Sequence, residues 1–187
     1  MGIATKAHKG RVIEIIVNAF KDNQSVNYIV KQDEKRLQRI TTLVEYSFFQ
    51  GSQFGEIFIS DDQNATCIVV YPHLKKTTWQ TILWDLKLIF RVIGLKKVKA
   101  ALQRESLLKS NYPDTPYAHL WYIGVDPFYQ QKGIGSKLLQ EVINHCGAMP
   151  IYLETSVLSN LSWYEKHGFK RIKTLDLGYL LHLYKKD

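Results

Sequence analysis

The sequence predicts an α+β fold built around a strand–helix–strand unit, and three observations carry that prediction. In the first half, apolar residues recur at helical spacing: Val12, Ile15, Ile16 and Ala19, then Leu37, Ile40, Leu43, Val44 and Phe48. Short β-rich runs bounded by turn residues lie between and after these segments. Finally, a glycine-bearing turn at 130–135 joins an apolar strand to an amphipathic helix that is followed by another strand. Strands on either side of such a crossover helix run parallel.

The elements follow in order. Residues 9–20 and 32–50 read as helices, the second ended by Gly51 and Gly55. Residues 56–60 and 65–71 form a hairpin, with Asp61, Asp62, Gln63 and Asn64 as its turn and Pro72 closing the second strand. Residues 77–94 read as a helix with Ile82, Leu86, Ile89 or Phe90, and Ile93 facing inward; Trp79, Trp84 and Phe90 either line a pocket on the acceptor side or, for most of the stripe, belong to the core. A basic helical segment continues over 95–109, and 111–116 is a loop. A strand at 117–125 then leads into the glycine turn and a helix at 136–146, with Leu138, Leu139, Val142, Ile143 and Cys146 inward. A strand at 150–155, a short helix at 160–167 capped by Gly168, and strands at 170–175 and 179–183 complete the chain. Residues 1–187 read as one domain, with 1–111 as helices, hairpin and helical insertion and 117–170 as the core around the turn.

Composition narrows the function classes. A hydrophobic fraction of 45% with 22% charged residues is that of an ordinary globular protein. Residues 1–110 hold 17 Lys and Arg against 10 Asp and Glu, a surplus that suits solubility or an anionic partner such as RNA or an acidic protein face. Cys67 and Cys146 sit in apolar contexts without metal-like spacing, and the six histidines form no ligand pair, so no metal is expected. The 81–95 stretch is too short to span a bilayer and carries Asp85, Lys87 and Arg91, and no signal peptide is visible. A cytoplasmic protein without a membrane partner is expected, and a homodimer is compatible with this composition.

Two glycines ahead of a helix aim backbone N–H groups at one point, which suits a phosphate or pyrophosphate. A dinucleotide fingerprint fails here because Leu138 stands where a third glycine is required. A P-loop fails because the order is Gly135, Ser136, Lys137 and no glycine stands where the first glycine of that motif is required. The pattern Gln/Arg-x-x-Gly-x-Gly/Ala fits at Gln130, Gly133 and Gly135. By itself the hexapeptide is weak, since two glycines can simply make a tight turn. Gly124 inside a strand predicts a bulge.

Val125, Asp126 and Pro127 precede this turn, while Leu153, Glu154, Thr155, Ser156 and Asn160 follow the helix, and then Trp163, Tyr164, Glu165, Lys166, His167, Gly168 and Phe169. Together these pieces resemble the GNAT superfamily of N-acetyltransferases over 117–170. The resemblance implies a twisted, mostly antiparallel sheet with a central pair of parallel, splayed strands and helices on both faces. It implies acetyl-CoA as co-substrate, its pyrophosphate on the N–H groups of Gln131, Lys132, Gly133, Ile134, Gly135 and Ser136. Pantetheine would pair along Ile123, Gly124 and Val125, with the Val125 N–H polarising the thioester carbonyl. Tyr164 would protonate the leaving thiolate, its structural alternative being a packing tyrosine. Asn160 would hold pantetheine by its amide or cap the short helix. Lys132 and Lys137 would add charge near the phosphates or serve only as solvated helix-start residues.

Acetyl transfer to a primary amine of a small molecule or protein requires a proton acceptor; Glu154, His119 and a water chain are the candidates. Two alternatives remain: an acyl-CoA-binding regulatory module without turnover, and transfer to an aminoacyl-tRNA. The chain departs from the family pattern at 1–6, which leaves little room for a first strand, and in the long segment 77–109.

Overall fold

A computed structural model describes the chain from Met1 to Asp187. Its strands are β1 (Gly2–Ile3), β2 (Gly55–Ile59), β3 (Ala65–Val70), β4 (Ala118–Val125), β5 (Ile151–Thr155), β6 (Lys170–Asp176) and β7 (Leu180–Lys186). They form one seven-stranded sheet in the order β1-β2-β3-β4-β5-β7-β6. Every neighbouring pair is antiparallel except β4 and β5, the parallel pair that the crossover helix requires.

The helices are α1 (Lys9–Phe20), α2 (Gln24–Ile29), α3 (Arg36–Phe54), α4 (Trp79–Leu88), α5 (Val98–Lys109), α6 (Ile134–Cys146) and α7 (Leu161–Lys166). Strand side chains alternate between two faces, and each face has its own core. On one face Val12 and Ile16 of α1 and Ile40, Leu43 and Val44 of α3 pack on Ile57, Ile59, Ile68 and Val70. On the other, Leu138, Leu139, Val142 and Ile143 of α6 and Tyr164 of α7 pack on Phe58, Cys67, Leu120 and Leu153. Burying each large aliphatic is worth about 1.5–3 kcal/mol, so tertiary packing rather than intrinsic propensity holds α6 in place. The burial of Cys67 pushes its thiol well above the ordinary range.

Several expectations are corrected. Gly51 does not end the second long helix: α3 runs through it to Phe54, and a Cβ on Gly51 would sit 2.8 Å from Ile68 Cγ2. A glycine is there because α3 lies close on the sheet. Residues 1–6 do contribute a first strand, the two-residue β1 beside β2. Helix α2 was not foreseen, although Asn23 accepts the Val26 N–H as an N-cap and Val26 and Val30 are buried.

The bulge in β4 lies at Trp121, where pairing steps from Ile68 opposite Tyr122 to Val69 opposite Leu120; Gly124 pairs regularly with Thr66. A glycine stands at 124 because a Cβ there would meet Ala19 of α1 at 3.3 Å. Helix α6 begins at Ile134, two residues early, and β7 runs on to Lys186. The segment at 79–93 is α-helical to Leu88 and then a π turn, Ile89–Ile93. Of its expected inward face only Ile93 is buried: Ile82, Leu86 and Phe90 are exposed, and Thr81 and Val92 are buried instead.

Candidate active site

Pairing between β4 and β5 stops after two residues, at Ala118 with Ile151 and His119 with Tyr152. Beyond that point the strands diverge and leave a cleft, with the edge of β4 from Leu120 to Val125 free of any partner strand. The Asp126 N–H bonds the Asn64 carbonyl on the β3 side. By strand alternation Gly124 also faces β3, so Ile123 and Val125 turn their N–H and C=O groups toward the cleft. The bulge contributes a second effect: Trp121 and Tyr122 both lean toward the α1 and α3 face.

The glycine turn stands at the cleft's mouth. Asp126 ends β4 by accepting the Phe128 N–H, and its carboxylate meets Arg11 of α1 at 2.7 Å. Gln130 donates its side-chain amide to the Val125 carbonyl at 3.2 Å. Gln131 and Gly133 then adopt left-handed backbone, φ 61° and 77°, and Gly133 caps α6. Left-handed residues in such a turn bring successive N–H groups onto one concave side. The first intrahelical bond runs from Lys137 to the Gly133 carbonyl, so Ile134, Gly135 and Ser136 keep free N–H groups at the positive end of the helix.

A Cβ on Gly135 would come within 3.0 Å of Val125 Cγ2, while the space beside Gly133 is open. Glycine at 135 thus lets the turn pack against the end of β4, and the free N–H groups at the helix start are of the kind that suits an anion. The side chains of Lys132 and Lys137 line a pocket of about 340 Å³ shared with Ser60, Asp61, Asp62 and Glu141, and Lys132 also lies over Tyr129. Three carboxylates line the same pocket, and neither lysine forms an ion pair with them.

Trp163 of α7 reaches across to the turn, donating its indole N–H to Ser136 Oγ at 2.8 Å. The next residue, Tyr164, is buried among Phe169, Tyr184 and the α6-side core. Burial, helped by Cys67 and Glu154, pushes its phenol well above the ordinary range, and no hydrogen bond engages it. A proton on that hydroxyl is therefore retained at neutral pH. Asn160 precedes α7 but makes no side-chain capping bond, so the capping alternative is not what the structure has.

Glu154 follows Leu153 in β5 and so faces away from Tyr164, toward the α1 and α3 side. Its side chain is 11% exposed and lies 2.8 Å from His119 Nε2. It also accepts the hydroxyl of Tyr112. Burial alone pushes this carboxyl up, but His119, Tyr112 and the positive Arg104 outweigh burial and hold it down to about 2. Tyr112 packs on Tyr117, His119 and Tyr152, and the His119 ring stacks 6.3 Å from Trp121. Arg104 of α5 bonds Ser25 at the start of α2 and the Tyr179 hydroxyl in the β6–β7 turn. Three distant segments are thereby tied together, and the charge of Arg104 still reaches Glu154.

Ile123 and Val125 thus lie on the open edge of β4 with Gly124 paired to β3 between them, 130–136 follow at its end, Tyr164 is packed in the core on the α6 face, and the bonded pair His119 and Glu154 lies on the other face. Tyr112 and Arg104 were not anticipated. Tyr112 lies in a loop 42 residues from its partner, and no periodicity marks a side chain that folds back over that distance.

An Acetyltransferase (GNAT) domain profile matches residues 99–171. An uncharacterized N-acetyltransferase of Schizosaccharomyces pombe is 27% identical over 168 residues, covering 82% of this chain and 67% of that protein. Among solved structures, a Corynebacterium glutamicum protein described as histone acetyltransferase HPA2 and related acetyltransferase superposes with TM-score 0.74 at 18% identity, covering 99% of this chain and 93% of that one. Arylalkylamine N-acetyltransferase 2 of Aedes aegypti superposes with TM-score 0.63 at 15% identity, covering 99% and 96%. At those identities the structural likeness is one of fold.

Proposed function

We propose that this chain, which is similar to GNAT acetyltransferases in its 99–171 profile match and in its fold, moves an acetyl group from acetyl-CoA directly to a primary amine of a small molecule or a protein. The observation that carries the reading is the early parting of β4 and β5, with a phosphate-fitting turn at the mouth of the opening and an unbonded, protonated Tyr164 on its flank.

The residues divide the work by position. The N–H groups from Gln131 to Ser136 hold the pyrophosphate, and the open edge at Ile123 and Val125 pairs with the pantetheine amides as an added strand would. Asn160 contributes its free amide to the same arm. The Val125 N–H polarises the thioester carbonyl. The Tyr164 hydroxyl donates its proton to the departing thiolate; phenol and thiol have ordinary pKa values of about 10 and 8.5, near enough for transfer within a dry site.

On the acceptor side, a carboxyl held near 2 is a weak base, so Glu154 acts as the positioning partner of His119. With Nε2–H donated to Glu154, Nδ1 of His119 keeps the lone pair that takes the amine proton.

Titration calorimetry with acetyl-CoA tests the reading on the wild type and on Gly135→Glu, followed by an amine-panel transfer assay with Tyr164→Phe. We expect binding by the wild type and its loss in Gly135→Glu, where a carboxylate meets Val125 and the phosphate. Tyr164→Phe should bind normally and transfer about 10²–10⁴-fold more slowly. No binding by the folded wild type would sink the proposal.

A further inference from the structure

The outer face of α4 carries an apolar stripe that no part of the chain covers. Trp79, Leu83, Leu86 and Phe90 recur at the spacing that places side chains on one side of a helix. They are 82%, 65%, 46% and 63% exposed. The helix is anchored from its opposite side, where Trp84 stacks on Phe49 of α3 with ring centroids 5.6 Å apart and Thr81 is buried. The stripe is thus a fixed feature of the surface. Leu74, Leu95 and Leu102 in the flanking segments are exposed as well.

Charge is concentrated in the same segment. Residues 74–109 hold nine Lys and Arg against two Asp and Glu, a surplus of seven within a chain whose total is +8. Both carboxylates are engaged: Asp85 accepts the Tyr46 hydroxyl at 3.0 Å, and Glu105 pairs with Lys109 at 3.4 Å. Lys76, Arg91, Lys96 and Lys99 are exposed and take part in none of the molecule's ion pairs.

We propose that this face docks on an anionic lipid surface, with α4 lying in the plane of the interface. No helix of the chain is long and apolar enough to cross a membrane; lying on one is a separate arrangement with different requirements. It needs an apolar face that enters the headgroup boundary, aromatic residues that favour that depth, and cations that meet anionic headgroups. The α4 segment supplies all three. A second copy docked on the same face would set two strongly positive surfaces against each other. A polyanion such as RNA would satisfy the cations and leave the four apolar side chains without partners. The inference is independent of the acetyl-transfer reading.

Co-sedimentation with large unilamellar vesicles tests it, comparing phosphatidylcholine alone with vesicles containing roughly one-third phosphatidylserine. The wild type should sediment with the anionic vesicles only. Raising the salt should weaken that binding. Leu83→Glu/Phe90→Glu, whose positions are exposed and whose fold can be checked by circular dichroism, should bind about tenfold less or worse. Tryptophan emission should shift to the blue on binding, and the shift should shrink in Trp79→Phe. The proposal is overturned if anionic vesicles capture no more wild type than neutral ones, or if the double variant binds equally. It is also overturned if light scattering shows a dimer that the double variant splits, or if the stripe-dependent binding goes to RNA and not to vesicles.

Discussion

A single carboxylate shows how much of this site depends on neighbours. Glu154 sits where burial opposes charge, yet His119, Tyr112 and Arg104 together keep it ionised down to about pH 2. Its folded pKa lies below the unfolded value of about 4.3, so the unfolded chain binds the extra proton between those limits. The stability it contributes is therefore complete above about pH 4.3 and is lost as pH falls toward 2. Thermal unfolding of Glu154→Gln across that window should show a shallower fall with acid than the wild type; parallel curves would mean that Glu154 is not held as described. The sequence pointed to Glu154 and to His119 separately, as residues at the ends of strands. That they are bonded, and that Tyr112 completes the set, follows from strand register and loop path, which no local pattern encodes.

Elements were legible where burial imposes a period. Helix α6 and strands β2, β3 and β5 follow their apolar patterns because each buries one full face or both. Helix α4 did not, because its period marks a stripe that faces outward; a hydrophobic pattern gives the face and not the direction it points. Glycines were ambiguous for a related reason. Gly51 and Gly55 read alike as helix stops, but Gly51 lets α3 approach the sheet, whereas a Cβ on Gly55 would lie 2.0 Å from the Val69 carbonyl oxygen. Gly55→Ala must therefore break β2–β3 pairing, and chemical denaturation should record a loss of about 3 kcal/mol or more. Gly10 of α1 has nothing within 4 Å of its Cβ position. Gly10→Ala should raise stability by roughly 0.5–1 kcal/mol, as glycine-to-alanine changes inside helices do. Equal effects at the two positions would contradict this packing account.

Across the whole molecule one sheet runs from β1 to β6, and its middle pairs β3 of the first half with β4 of the second. Arg11 adds a polar tie between those halves, bonding Asp126 at 2.7 Å, the Asn64 side chain and the Gln63 carbonyl. A continuous hydrogen-bonded sheet joins the halves, and the core under α6 draws on Phe58, Ala65, Cys67 and Val69 of the first half as well as on the second. Scanning calorimetry should accordingly give one transition with matching calorimetric and van't Hoff enthalpies; two resolved transitions would show that 1–111 folds independently. The sequence by itself determined the types of the longer helices and of strands β2 to β7, the glycine turn before α6 and the parallel crossover around it, because those depend on side-chain period and on residues with special backbone freedom. Only the tertiary structure decided that the bulge falls at Trp121, that Glu154 is shared by His119 and Tyr112, and that α4 turns its apolar stripe outward. Those outcomes depend on which segments meet across long separations, and on how closely two backbones approach where they do.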